Sequence, residues 1–212
     1  LSSPGSHEFA VAGSTTIYDG AILTLRVDDV VMPGGATAKR EIVEHHGAVA
    51  VVAVDDDGRA AMIRQYRHPV GRRLLELPAG LLDGGPEESA LVAAQRELAE
   101  EVDLAAADWA VLTDLVLSPG FCDEALRVYL ARGLTALPSA QRSDEEADLA
   151  LEWIDLAEAG RLIGAGEIVN ATAVAGVLAA AAALADPSLL RPVDAEWIDE
   201  PTALVRRRAA RD

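Results

Sequence analysis

Cys122 is the one cysteine in 212 residues. With no second thiol an intrachain disulfide is excluded, and the chain suits a reducing compartment such as the cytoplasm. Aromatic residues make up 4% of the chain, so few rings can stack on a base; Tyr18, Tyr66, Phe121 and Trp153 are the candidates, and nothing in the sequence chooses among them. Basic residues are short as well: 18 Lys and Arg stand against 35 Asp and Glu, a formal net charge of -17. That balance argues against a nucleic-acid backbone or an anionic membrane as partner. The longest apolar run, Ala171 to Ala185, is alanine-rich and falls short of the roughly 20 residues that span a bilayer. Leu1 to His7 lacks a basic region followed by an apolar one and reads as a disordered lead, not a signal peptide. There is no Walker loop, dinucleotide fingerprint or serine elbow. His45, His46 and His68 have no cysteine at zinc-ligand spacing.

What is present is a chain that is half hydrophobic, long enough for one domain or one domain plus a small accessory unit. Alternating aliphatics predict one or two strands over Ala21 to Met32, a turn at Pro33-Gly34-Gly35, and an antiparallel return over Lys39 to His45. This leading unit, residues 1–46, reads as an accessory antiparallel sheet. A hairpin follows at Ala48–Val54 and Ala60–Tyr66 around Asp55-Asp56-Asp57-Gly58. Further strands are expected near 74–77, 110–117, 125–131 and 149–154, a mobile loop over 133–144, and helices at about 155–164 and 169–185. That mixed order suggests an α/β/α sandwich with a mixed sheet over residues 47–212 rather than a doubly wound sheet. Arg206, Arg207, Arg208 and Arg211 are expected to complement the dipole of a last helix.

The segment from Glu88 to Glu101 carries the chemistry. On a helix Glu97 shares a face with both Glu100 and Glu101, while Leu91, Ala94, Leu98 and Val102 form a separate apolar stripe. Crowded like charges repel, and a hard cation such as Mg²⁺, which takes oxygen ligands, would offset that repulsion. The other reading of such a cluster is a solvated acidic face.

Gly80, Glu88 and Arg96-Glu97-Leu98-Ala99-Glu100-Glu101 resemble the Nudix box of hydrolases acting on nucleoside-diphosphate derivatives. There are two departures. Seven residues, not five, separate Gly80 from Glu88, and Asp103 replaces the last box glycine. The insertion falls in a turn-like stretch before the helix, and Asp is among the few residues that tolerate a left-handed helix end. His46–Ala53, Gln65-Tyr66-Arg67, Leu75–Gly80 and Ser118-Pro119-Gly120-Phe121 are similar to segments of the ADP-ribose pyrophosphatase subfamily, and the tail from Gly166 to Asp199 is similar to its actinobacterial members.

The resemblance implies Mg²⁺-dependent hydrolysis of ADP-ribose to AMP and ribose 5-phosphate, with Mn²⁺ or another divalent cation as a substitute. Glu97, Glu101 and then Glu100 would be metal ligands, together with the backbone oxygen of Ala79. Glu145 would be the general base and Glu146 the second choice, unless Ser143–Glu146 is only a solvated acidic loop. Arg67 would hold a substrate phosphate and Glu76 a ribose hydroxyl, or each could be an ordinary ion-pair member. Pro119, Gly120 and Phe121 would border the distal ribose, or simply turn between strands. Gly80, Glu88 and Arg96 are read as structural, with Arg96 and Glu88 paired to each other or to neighbours. The family further implies a homodimer that exchanges residues 1–46. Other Nudix substrates (ADP- or GDP-sugars, NADH, oxidised nucleotides) and a non-catalytic nucleotide sensor are the alternatives.

Overall fold

The computed structural model describes residues 6–85, 88–139 and 148–209. In chain order the elements are β1 (Val11–Asp19), β2 (Leu23–Val31), β3 (Thr37–His45), β4 (Ala48–Ala53), β5 (Arg59–Arg67), β6 (Arg72–Glu76), β7 (Ala79–Leu81), α1 (Ala90–Val102), β8 (Leu104–Val116), β9 (Ala125–Ala136), β10 (Ala150–Asp155), α2 (Leu156–Gly164), α3 (Ala171–Ala185) and α4 (Ala203–Ala209). They fall into two compact units: Leu1–Gly47 with Val116–Glu124 and Pro201–Asp212, and Ala48–Leu115 with Ala125–Glu200.

The first unit is a three-stranded antiparallel sheet, β1-β2-β3. β2 and β3 join at the expected turn, where Gly34 and Gly35 both hold positive φ, the conformation glycine adopts most cheaply. β1 is a strand the sequence pattern did not reveal: almost every residue is exposed, so no burial alternation marks it. One face of the sheet buries polar groups, Thr24, Asp28 and Glu44. Glu44 sits opposite Thr24 and accepts bonds from Arg207 Nε at 2.6 Å and Nη2 at 2.8 Å. That bidentate partner holds the Glu44 carboxyl below its usual range. Arg208 donates to the carbonyls of Gly20 and Ala21. These two arginines, expected to serve a helix dipole, instead fasten α4 to the sheet. Residues 116–124 also lie along β3, through a parallel bridge of Cys122 with Val43 and a bond from His45 N–H to Asp123 at 2.8 Å.

The second unit holds two sheets, β10-β5-β6 and the mixed β7-β4-β9-β8. β4 runs parallel to β9 and antiparallel to β7, and all six of its residues are buried, as a strand covered on both faces requires. Val49, Val51 and Tyr129 pack with Ala93, Ala94, Leu98 and Val102 of α1. The alternate residues Val52 and Val128 face α3, where a side chain on Gly176 would meet Val52 at 3.2 Å and Leu77 at 2.6 Å. Small residues, Ala173, Gly176, Ala180 and Ala183, form the buried side of α3 and let it approach closely. Helices thus cover both faces of the sheet, the expected α/β/α sandwich. The boundaries differ in places: β7 is a short strand that was not expected, β8 begins at Leu104 rather than near 110, and β9 continues through Gly133 to Ala136, where a loop was expected, with Gly133 at positive φ. Among the described residues no helix is long and apolar enough to cross a membrane.

Candidate functional site

α1 starts where Ser89, in extended conformation, accepts the Val92 N–H at 3.3 Å. It stops at Asp103, whose φ of 56° and ψ of 41° are left-handed and whose N–H returns to Ala99 O. Asp103 is the only non-glycine with positive φ among the described residues. The residue that departs from the box therefore performs the box glycine's geometric task. Between these caps Leu98 and Val102 turn to the core and Glu97 and Glu101 turn to β7.

At β7 the sequence becomes a site. Ala79 N–H donates to Glu101 Oε2 at 2.8 Å, and Pro78 O accepts the Val51 N–H at 2.9 Å, so the strand is held from helix and sheet together. A Cβ on Gly80 would fall 2.1 Å from the Glu97 carboxyl carbon, so a side chain there would push that carboxylate from its place. Glu97 is 7% and Glu101 6% exposed. Burial raises the Glu97 pKa, and the nearby Arg96 only partly opposes the rise.

Arg96 ties the site together. Its Nε donates to Glu88 at 2.8 Å, its Nη1 to Glu97 at 2.5 Å and Glu100 at 3.1 Å, and its Nη2 to Leu81 O at 3.3 Å. Glu88 also accepts the Gly84 N–H at 3.0 Å, and the Arg96 bond holds its carboxyl below the usual range. Leu81 and Gly84, both in the box loop, are bound into this cluster. Arg96 and Glu88 pair with each other.

The donor chemistry suits a hard divalent cation: two buried carboxylates and the more exposed Glu100, beside a backbone fixed at Ala79. Among the described residues, however, no three His, Cys, Asp or Glu side chains are gathered as a ready metal cluster. Glu97 lies on Arg96 and Glu101 on Ala79.

Arg67 and Glu76 meet. Arg67 Nη2 lies 2.8 Å and Nε 3.1 Å from the carboxylate of Glu76, a residue that is 2% exposed. The turn Ser118–Phe121 closes with Phe121 N–H on Ser118 O, and Phe121 O accepts the Val43 N–H at 2.7 Å; Phe121 is 55% exposed. Pro119 and Gly120 form the tip of this turn, which belongs to the first unit, whereas Glu97 and Glu101 belong to the second. Glu145 and Glu146 lie outside the described residues. Just beyond them Asp148 pairs with Arg73 of β6.

Sequence reasoning missed one polar centre in the second unit. Arg127, 4% exposed, donates to Asp114 at 2.7 and 3.0 Å and to the carbonyls of Ala195 and Glu196 at 2.8 and 3.0 Å. Arg191 adds a third bond to Asp114 at 2.9 Å. Burial would raise the Asp114 pKa, but the two guanidinium groups outweigh it and hold the carboxyl low. The one sequence signal was an arginine inside an otherwise apolar strand run, Ala125 to Ala131.

A family model described as NUDIX domain matches residues 44–175, and one described as nucleoside diphosphate sugar hydrolase N-terminal domain matches residues 11–43. An ADP-ribose pyrophosphatase of Mycobacterium tuberculosis is 54% identical over 97% of this chain and 99% of its own length. An ADP-ribose pyrophosphatase of Bacillus subtilis is 40% identical over 73% of this chain and 83% of its own. A solved structure of an ADP compounds hydrolase superposes with a TM-score of 0.77 at 23% identity, covering 88% of this chain and all of that one, which bears on the fold.

Proposed function

The chain belongs to the Nudix family, and on that premise we propose that it hydrolyses the diphosphate of ADP-ribose to AMP and ribose 5-phosphate with a divalent cation, Mg²⁺ or in its place Mn²⁺. The observation that carries the chemistry is the seating of two buried box carboxylates, Glu97 and Glu101, against Gly80 and Ala79. The choice of substrate rests on the two bacterial relatives that bear that activity in their names.

Glu97 and Glu101, then Glu100, with the carbonyl of Ala79, would hold the cation. When bound, it offsets the charge of the diphosphate and acidifies a coordinated water. Arg67 receives a phosphate oxygen, the local cation that a chain of net charge -17 must supply for an anionic substrate. Glu145, with Glu146 as the second choice, takes the proton of the attacking water; this assignment and those of Pro119, Gly120 and Phe121 rest on family resemblance alone. A second reading, hydrolysis of other nucleoside diphosphate sugars, is favoured by the match of residues 11–43 to an N-terminal domain of that description.

We place the protein in the cytoplasm, where a lone cysteine suits the reducing conditions. We also propose a homodimer in which residues 1–46 are exchanged and residues 47–212 form the hydrolase domain. Val11, Ile17, Tyr18 and Ile22 are each more than half exposed on or beside the N-terminal sheet, an apolar surface of the kind that partners cover. Sedimentation should give twice the chain mass, and a fully active monomer would contradict the exchange.

The substrate reading is tested by comparing ADP-ribose, ADP-glucose, NADH and 8-oxo-dGTP as substrates under identical conditions. Preference for ADP-ribose is the expected result. Preference for another compound would keep the site and discard the substrate.

A further inference from the structure

Glu76 is one of the most deeply buried charged groups in the second unit, at 2% exposure. Withdrawing a carboxylate from water is costly unless a paired charge and good hydrogen bonds compensate. Its compensation comes from Arg67, through Nε at 3.1 and 3.3 Å and Nη2 at 2.8 Å. The pair is asymmetric: the Arg67 side chain is 39% exposed and that of Glu76 3%. A buried carboxylate thus grips an arginine whose side chain is partly exposed.

The strand register adds direction. Glu76 lies opposite Ile63 in the β5–β6 pair, and Arg67 lies opposite Arg72. Arg67 and Ile63 are four residues apart and point to one face. Their separation along the strand is about 13 Å at roughly 3.3 Å per residue. The Arg67 side chain therefore leans back along β5 to reach Glu76, towards the end of β6 that leads through Leu77 and Pro78 into Ala79. Left to itself, a flexible surface arginine would sample many rotamers and bind an anion only after losing that freedom.

We propose that Glu76 is a positioning residue that fixes the Arg67 guanidinium to receive a phosphate oxygen of the diphosphate substrate. This rests on the reading of the chain as a diphosphate hydrolase and gives Glu76 a different part from contact with a ribose hydroxyl. Glu76 acts through Arg67, not on the reacting atoms. Both edges of its carboxylate are used on the guanidinium, and its burial keeps substrate from competing for them.

The test is a double-mutant cycle on KM and kcat for ADP-ribose, with folding checked by circular dichroism and thermal melting. Arg67→Ala should raise KM about ten- to a hundredfold, the range of a lost charge-assisted bond, with a smaller fall in kcat. Glu76→Gln, nearly isosteric, should raise KM about three- to tenfold in the same manner, and Glu76→Asp, which keeps the charge, should recover part of that loss. The pair Arg67→Ala/Glu76→Gln should bind no worse than Arg67→Ala alone. A merely structural Glu76 would lower the melting temperature while leaving KM unchanged, and an independent one would multiply the two KM effects; either result overturns the proposal. Calorimetric binding of inorganic pyrophosphate to the same four proteins gives the same cycle without turnover. If wild type does not hydrolyse ADP-ribose, the substrate reading fails, and additive effects on pyrophosphate binding would separately overturn the role of Glu76.

Discussion

Gly80 on β7 and Glu97 on α1 occupy adjoining space so tightly that a methyl group on the glycine would sit 2.1 Å from the carboxyl carbon. The glycine and the glutamate are thus one feature of the site, although sixteen positions of sequence lie between them. Replacing either should disturb the other. Gly80→Ala should displace the carboxylate with only a small change in stability, because the far end of a flexible side chain is what must move, and reduce turnover at least about tenfold. Thermal melting and initial rates measured on one preparation check both halves.

Glu97→Gln separates stability from function. The Glu97 pKa is raised by burial above its ordinary 4.5, so the folded chain binds that proton more tightly than the unfolded chain. Its charged form therefore opposes folding at pH values above the raised pKa, and the opposition fades as pH falls through 4.5. In the absence of metal, Glu97→Gln should melt about 2–4 °C higher than wild type at pH 7, a shift near 1 kcal/mol for a chain of this size. The difference should vanish in acid. An equal gain at every pH would mean that charge burial is not its cause.

Arg127 should prove a stability residue without a part in turnover chemistry. Removing its side chain takes two of the three guanidinium bonds from Asp114, leaving that of Arg191, and leaves the carbonyls of Ala195 and Glu196 without these donors. Arg127→Ala should cost about 3–5 kcal/mol, the usual consequence of breaking a buried pair. The Asp114 pKa is depressed below 3.8, so the pairing contributes fully above that pH and is lost as pH falls through the folded value. Denaturant unfolding of wild type and variant at pH 7 and pH 3 should show the gap narrowing in acid.

Glu145→Gln should reduce kcat about 10²- to 10⁴-fold, the range of a lost general base, and leave cation affinity nearly unchanged. The same loss in Glu146→Gln with a mild effect at Glu145 would move the role by one residue. Rates and metal titrations of both variants decide it.

Legibility in the sequence followed the physics of each part. The box helix, its apolar stripe and its carboxylate face follow from helical periodicity, so Leu98 and Glu97 were separable by spacing alone. Asp103 was readable as a left-handed cap because few side chains tolerate that geometry. β1 was not readable, since an exposed strand bears no burial alternation. The partners of Arg207 and Arg127 were hidden for another reason: Glu44 is 163 residues from Arg207, and Ala195 is 68 residues from Arg127. Pairing over such distances is set by tertiary packing, which local pattern does not encode. Arg67 and Glu76 were both singled out, but nothing in their spacing joined them; the β5–β6 register does.

The most direct measurement is product analysis of ADP-ribose incubated with wild type and with Glu97→Gln, in Mg²⁺ and after excess EDTA. Equal amounts of AMP and ribose 5-phosphate from wild type, lost both with EDTA and in Glu97→Gln, are what this account predicts. Turnover that survives EDTA, or that survives in Glu97→Gln at near wild-type rate, would contradict it.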